Sequence, residues 1–161
     1  IMFASLIINS PVGQLTLVAD DQALLAVMWE NYFVPWLSSV QLTEQLNHPI
    51  LQSAQRQLNE YFVGQRHSFT LPLAFTGTEF QQKVWQALLH IPYGETRSYQ
   101  QIAHAIQHPH AARAVGAANA KNPLSIIVPC HRVIGANGQL TGFTGGVDKK
   151  SMLLNLECAK D

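Results

Sequence analysis

Near residues 74–78 the hydrophobic period of this chain changes, and that change constrains the fold more than any other feature. Upstream the signal is period two. Leu15, Leu17 and Ala19 alternate with polar residues, and Pro11-Val12-Gly13 and Asp20-Asp21 supply turns between apolar runs, which predicts three short antiparallel strands over Phe3–Glu30. Residues 31–47 show weak periodicity and are expected to form a loop with a short helix. Leu51, Ala54, Leu58, Tyr61 and Phe62 then recur at helical spacing ahead of Gly64, which predicts a helix over Ile50–Phe62. Phe69, Leu71 and Leu73 predict one more strand, ended by Thr76-Gly77-Thr78.

Downstream the period is helical. Thr78 can cap a helix carrying Phe80, Val84, Ala87, Leu88 and Ile91, ended by Pro92-Tyr93-Gly94. Ser98 can cap a second, with Tyr99, Ile102, Ala103 and Ile106 on its inner stripe, and Pro109 can open a third running to about Lys121. Strands first and helices second make an α+β chain, with a small N-terminal antiparallel sheet and helix, then a mainly helical region. The boundary divides it into residues 1–76 and 77–161. Two short helices joined by a short turn have the shape of a helix-turn-helix, although ordinary packing hairpins share that spacing.

The third helix has an unusual composition, Ala111-Ala112-Arg113-Ala114-Val115-Gly116-Ala117-Ala118-Asn119-Ala120-Lys121. Helical spacing puts Ala114, Val115 and Ala118 toward a core and Arg113, Gly116, Ala117, Ala120 and Lys121 on the opposite face. Gly116 costs about 1 kcal/mol relative to alanine in a helix interior. A face this smooth suits close approach by another surface, or simple packing against a neighbouring helix.

Composition narrows the classes. The chain has 161 residues, 47% of them apolar and 12% charged, so it folds by burial rather than behaving as a polyelectrolyte. Its two cysteines, Cys130 and Cys158, form no C-x-x-C pattern, which leaves no disulfide framework and no cysteine-rich zinc site. His48 and His67 read as surface residues, and His104, His108 and His110 cluster around the turn, the last two flanking Pro109 in an expected exposed loop; no metal or other cofactor is expected. No apolar run approaches the roughly 18 residues of a membrane span, and the start lacks a basic leader and cleavage site, so a cytoplasmic protein is expected.

The chemistry gathers around residue 130. Ile126-Ile127-Val128 predicts a β-branched strand running into Pro129-Cys130-His131-Arg132-Val133, which sets a thiol beside an imidazole. A thiolate is the nucleophilic form and requires an electropositive neighbour or a general base near neutral pH. Adjacent side chains on a strand point to opposite faces, so Cys130 and His131 cooperate only if the backbone turns there or a water bridges them. A buried structural cysteine beside a satisfied histidine fits the bare dipeptide equally. Asn137-Gly138 between Val133-Ile134 and Leu140 predicts a hairpin, Gly142–Gly146 a glycine-rich loop, and Val147–Cys158 a last helix on which Glu157 lies one turn after Leu153.

Taken together, Pro129-Cys130-His131-Arg132-Val133-Ile134-Gly135, the preceding Asn122-Pro123 and Ala-Ala-Arg-Ala-Val-Gly helix, and the following Gly142-Phe143-Thr144-Gly145-Gly146 and Leu153-Leu154-Asn155-Leu156-Glu157 resemble the O6-alkylguanine-DNA alkyltransferases. The resemblance covers about residues 78–158, with the motifs in order. It implies a ribonuclease-H-like N-terminal domain and a winged-helix-like domain with a helix-turn-helix. It further implies stoichiometric, irreversible transfer of an alkyl group from guanine O6 to Cys130, with O4-alkylthymine as a candidate second substrate. By the same resemblance His131, oriented by Glu157, takes the thiol proton through a water, Asn122 supports the active-site turn, and Tyr99 assists the leaving guanine. The second helix of the helix-turn-helix, the third described above, would enter the minor groove of duplex DNA, Arg113 replacing a flipped base while Ala112, Gly116, Ala117 and Lys121 contact the strand. Val128, Pro129, Phe143, Thr144 and Gly145 would form the pocket, the glycine allowing close approach to a flat base. Met152 stands where relatives often carry tryptophan, which implies different packing beneath the last helix. A monomer is expected. The competing readings are a DNA-binding or lesion-sensing module without transfer, and a cysteine hydrolase built on Cys130 and His131.

Net charge bears on the DNA reading. Ten basic and ten acidic residues cancel, which by itself argues against binding through bulk positive charge. By segment the picture differs. Residues 1–79 carry Arg56 and Arg66 against six acids, a net of about −4, whereas residues 80–161 carry eight bases against four acids, a net of about +4. The expectation is modest, salt-sensitive affinity through one face.

Overall fold

The computed structural model describes residues 2–140 and 143–158. Strands β1 (Met2–Ser10), β2 (Gly13–Ala19) and β3 (Leu24–Trp29) form the expected meander. A fourth strand, β4 (Gln41–Glu44), lies parallel to β1 and completes the order β3-β2-β1-β4. The sequence reading placed this segment in a loop. Four residues on an edge, only partly buried, leave no periodic signature.

Helix α1 (Pro49–Phe62) crosses one face of the sheet and buries Leu51, Ala54, Leu58 and Tyr61 against Leu6, Ile8, Leu15 and Leu17. The other face is covered by a short 3-10 turn, Pro35–Ser39, where Leu37 and Val34 meet Val18, Leu25, Ala26 and Met28. With both faces covered, every residue of β3 is buried, which explains its unbroken apolar run. The segment 69–73 is not a strand within a sheet; Leu73 makes a single bridge with Leu24, whose N–H donates to the Pro72 carbonyl at 2.8 Å. Proline has no N–H with which to continue a ladder.

Beyond residue 76 come α2 (Glu79–Leu88), β5 (Arg97–Ser98), α3 (Tyr99–Ala105), α4 (Ala112–Ala120), β6 (Val133–Ile134) and α5 (Val147–Cys158). Thr78 and Ser98 each close a capping box, with Gln81 and Gln101 as the reciprocating residues. Helix α4 starts at Ala112 rather than Pro109, and the connection between α3 and α4 carries Gln107 at φ 64°, a left-handed position. Helices α2, α3 and α4 pack on one another, and β5 pairs in parallel with β6. The Asn137-Gly138 turn forms, with the Gly138 N–H on the Gly135 carbonyl, but β6 pairs with β5 instead of building the predicted hairpin ladder. One apolar core runs without interruption from Leu6 and Leu17 through Trp85 and Val115 to Val128 and Leu153.

Candidate active site

The predicted strand over Ile126–Val128 is absent; two successive tight turns stand in its place. The Ile127 N–H donates to the Ser125 carbonyl at 2.9 Å around Ile126, whose φ is 74°, the rarer positive-φ form of a γ-turn and unusual for a β-branched residue. Pro129 then sits at φ −80°, ψ 65°, and the Cys130 N–H reaches the Val128 carbonyl at 2.8 Å, the pattern of an inverse γ-turn. The ring of proline presets that φ. Cys130–Arg132 follow as one 3-10 turn, so the thiol and the imidazole do not sit on opposite faces of a strand. The turn condition set by the sequence is met.

Asparagines hold this path in place. Asn122 accepts from the Leu124 N–H at 3.0 Å through Oδ1 and donates from Nδ2 to the Val128 carbonyl at 2.8 Å, tying both ends of the loop to one side chain. Asn119 donates to the Cys130 carbonyl at 3.3 Å. Both are buried. From the sheet, the Val27 N–H donates to the Pro123 carbonyl and the Trp29 indole donates to Ser125 Oγ at 2.9 Å.

Glu157 is buried at 1% exposure, not solvated as a helical glutamate usually is. His131 Nε2 lies 2.6 Å from its Oε2, Arg132 Nε donates to Oε1 at 2.9 Å, and Arg132 Nη2 donates to Oε2 at 3.0 Å. Burial alone would raise the carboxyl, but the hydrogen bonds and charges of His131 and Arg132 outweigh it and hold Glu157 well below the usual carboxylate range. An ionised carboxylate only accepts, so Nε2 carries the proton and Nδ1 of the neutral ring keeps its lone pair. Nδ1 is buried and has no hydrogen-bond partner among the described residues. Burial also pushes His131 below its ordinary value, against the pull of Glu157, which keeps the imidazole neutral.

The thiol of Cys130 is 2% exposed. Burial pushes it above its ordinary value; hydrogen bonds from Asn122 and Ser125 and the Lys150 charge pull the other way without reversing the shift. The resting pair is therefore thiol and neutral imidazole. Lys150, fully buried on α5, lies 6.0 Å from the Tyr99 ring centroid and 5.9 Å from that of Phe143. Its charge also acts on the Cys130 thiol.

On α4, Arg113, Ala117 and Lys121 are exposed, and Ala112 and Gly116 half-buried. Ala114, expected in the core, is exposed as well, and Asn119 is buried in its stead beside Val115 and Ala118. The buried stripe is rotated toward the cysteine loop by the hydrogen bond from Asn119. A Cβ at Gly116 would meet the Tyr99 ring only at 3.7 Å, ordinary contact, so packing inside the protein does not demand glycine there. Gly145 differs. A Cβ there would fall 2.7 Å from the Trp29 indole, so it is this flat ring that requires the glycine, and Trp29 in turn meets Phe143 edge-on at 5.5 Å. Val128 and Pro129 are buried and Thr144 is half-buried. Gly142 lies outside the described residues.

Met152 is 42% exposed, so this position adds little packing beneath α5. His48 is half-buried and caps α1, accepting from the Ile50 N–H, while exposed His67 stacks on Tyr93 at 3.9 Å. Among the described residues, no three His, Cys, Asp or Glu are grouped to hold a metal ion.

Four participants escaped sequence reasoning: Arg132, Lys150, Trp29 and Tyr61. For Lys150 a signal existed. Residues 150, 153 and 157 recur at helical spacing and are the buried stripe of α5, so extending the stripe from Glu157 and Leu153 one turn back reaches it. Tyr61 was read only as an apolar member of the α1 stripe, yet its hydroxyl donates to Glu157 Oε2 at 2.6 Å.

Comparison with known proteins places this geometry. Residues 79–159 match the DNA-binding domain of 6-O-methylguanine DNA methyltransferase, and residues 3–75 match its ribonuclease-like domain. The chain is 49% identical over 151 residues to the constitutive methylated-DNA–protein-cysteine methyltransferase of Bacillus subtilis, covering 92% of each. It superposes on the crystal structure of Mycobacterium tuberculosis O6-methylguanine methyltransferase with a TM-score of 0.86 at 46% identity, covering 99% of this chain and 94% of that one. With Mycobacterium tuberculosis OGT in complex with DNA the TM-score is 0.85 at 45% identity, with the same coverage. With a free, buried thiol beside a buried imidazole–carboxylate pair along one turn, and both domain types matched in order, the chain belongs to the O6-methylguanine DNA methyltransferase family, the methylated-DNA–protein-cysteine methyltransferases.

Proposed function

We propose that Cys130 is the acceptor through which this chain repairs alkylated DNA, and that His131, Glu157, Asn122 and Tyr99 serve that single transfer. The observation that carries the reading is the imidazole: Nε2 bound to Glu157 at 2.6 Å, Nδ1 unpartnered, two residues of one turn holding thiol and base. Nδ1 takes the thiol proton through one water. Sγ then attacks the alkyl carbon of O6-alkylguanine in line; the S–C bond forms as the C–O6 bond breaks, and the electron pair leaves on the guanine. Tyr99 supplies the proton that neutralises the departing base, and the proton held on His131 returns to the tyrosine through solvent. A guanine anion is a poor leaving group, so this neutralisation is worth rate. The thioether has no route back to a thiol, which makes the transfer stoichiometric. O4-alkylthymine, which presents a comparable alkoxy carbon, is proposed as a second substrate.

The duplex shields O6 from such an attack, so the base must leave the stack, at a cost of a few kcal/mol that falls for a damaged pair. Helix α4 is proposed to enter the minor groove, Arg113 filling the gap, with Ala112, Gly116, Ala117 and Lys121 against the strand. The ordinary internal contact at Gly116 supports this, because its smallness answers a need outside the chain. Residues 1–76 would then be the supporting domain and 77–161 the DNA-binding, catalytic one, with Val128, Pro129, Phe143, Thr144 and Gly145 around the extruded base. Among the described residues no helix is long and apolar enough to cross a membrane. A reaction that consumes a free thiol suits the reducing cytoplasm, where a monomer would suffice.

Intact-mass measurement after incubation with an O6-methylguanine duplex tests the reading. One methyl mass, mapped to Cys130 and lost in Cys130→Ala, is expected; release of methyl with repeated turnover overturns it, and a protein that binds but gains no mass is a lesion-sensing module instead.

A further inference from the structure

Glu157 has more donors than its role toward His131 requires, and one of them comes from α1, distant in sequence. Its Oε2 receives His131 Nε2 and the Tyr61 hydroxyl, each at 2.6 Å, and Arg132 Nη2 at 3.0 Å; Oε1 receives Arg132 Nε at 2.9 Å and the Gly94 N–H at 3.2 Å. Five donors meet a carboxylate that offers about four lone-pair sites. Tyr61 and His131 therefore compete for charge on the same oxygen.

We propose that Tyr61 is a positioning residue for alkyl transfer: from α1 in the sheet region, its hydroxyl draws charge from Glu157 Oε2 and so limits how strongly that carboxylate stabilises protonated His131. The inference rests on the assignment of Cys130 and His131 above and adds to it a control on the base. Tyr61 is fully buried, and rings of Phe62, Phe69 and Tyr93 fix its own ring at centroid distances of 5.4, 5.6 and 6.1 Å. Burial first, and then the adjacent Glu157, hold the phenol far above its ordinary value, so it remains a donor at every working pH. The aromatic clasp explains why a tyrosine delivers this bond. Its phenyl packs with the core while only the oxygen reaches the carboxylate.

The other groups that act on the pair are Arg132 from the cysteine turn, Lys150 from α5 and Tyr93 from the segment after α2. Arg132 and Lys150 disfavour protonation of His131, and Tyr93 lies beneath the Arg132 guanidinium at 5.7 Å. None of them shares Oε2 with His131 as tightly as Tyr61 does. A carboxylate relieved of one strong donor is a better acceptor for an imidazolium. Without the hydroxyl, His131 would hold its proton to higher pH, and a protonated imidazole cannot accept one from the thiol.

The test is Tyr61→Phe, which keeps the ring and removes the oxygen. The single-turnover rate of methyl transfer from an O6-methylguanine duplex is measured across pH at saturating protein, so that the bound complex is read. The acid limb of the profile is expected to move upward by about half to one pH unit. Replacement of Tyr61 by 3-fluorotyrosine, a stronger donor, is expected to move it downward, and this second variant decides the question if the phenylalanine protein does not fold. An acid limb unmoved in both variants, with or without a lower melting temperature, overturns the proposal and leaves Tyr61 as packing. Wild type run alongside separates the two layers: a wild-type protein that gains no methyl on Cys130 overturns the parent reading, whereas transfer with an unmoved limb overturns only the role of Tyr61.

Discussion

The sheet region and the helical region bury different things. Upstream of residue 77 the buried side chains among those described are apolar save Gln57, which exchanges hydrogen bonds with the backbone of Thr70, and the polar tips of Trp29 and Tyr61. Downstream, Asn119, Asn122, Ser125, His131, Arg132, Lys150 and Glu157 are all buried. Apolar burial is non-directional and tolerant, whereas each buried polar group must find a partner at the right angle or cost about 1–3 kcal/mol. The contrast teaches a division of labour. One region supplies stability through packing, and the other spends order on chemistry while leaning on the first through Trp29 and Tyr61.

That contrast can be broken experimentally, beginning with Glu157→Gln. It removes the charge that balances Arg132 and orients His131, and should destabilise the fold by about 3–5 kcal/mol in urea titration while nearly abolishing transfer. Burial works against this carboxylate and its donors win, so its folded value is depressed; its stabilisation is present above about pH 4.3 and is lost as pH falls from there toward the folded value. The gap between wild type and variant should accordingly stay constant near neutrality and narrow only in acid.

Leu17→Ala, in the centre of the sheet, should cost a comparable 2–5 kcal/mol, or about that, through a cavity. Yet methyl transfer per folded molecule should remain unchanged. A slower rate at full folding would show that the sheet does more than support. Asn122→Ala should cost about 1–3 kcal/mol for the freed Leu124 N–H and Val128 carbonyl, and should slow transfer out of proportion because the Cys130 turn loses its tie. Smallest in stability is Arg113→Ala, expected within about 0.5 kcal/mol of wild type because the side chain is exposed. It should nonetheless slow repair of a duplex more than reaction with the free alkylated base, and equal slowing would remove base extrusion from the mechanism.

Regular elements were legible because they repeat. The three-strand meander, α1 and the two capping boxes at Thr78 and Ser98 follow from local spacing alone. The cysteine turn was not legible as a conformation, since Ile126-Ile127-Val128 has the composition of a strand and its path is imposed by Asn122, Pro129 and bonds to β3. For the same reason Asn119, not Ala114, completes the buried stripe: the pull on Asn119 comes from Cys130, eleven residues away. Roles for Cys130, His131 and Glu157 came from motif resemblance rather than periodicity. Arg132 and Tyr61 stayed hidden because a guanidinium or phenol in a stripe reveals its partner only in three dimensions.

Charge needs the same correction. The positive excess counted downstream includes Arg132 and Lys150, both buried, so fewer cations face outward than the count suggests. Exposed Arg113 and Lys121 sit on the helix assigned to the groove.

The contact between Trp29 and Gly145 has a consequence for anyone who would recombine these proteins. The indole that forbids a side chain at Gly145 also anchors Ser125, so one residue of β3 shapes both the loop beside the pocket and the loop before the nucleophile. A chimera joining the first region of one relative to the second of another inherits a matched pair only when residues 29 and 145, and likewise 61 and 157, travel together. The two regions are separable on paper, but as a working instrument they are keyed to each other like a lock and its bolt.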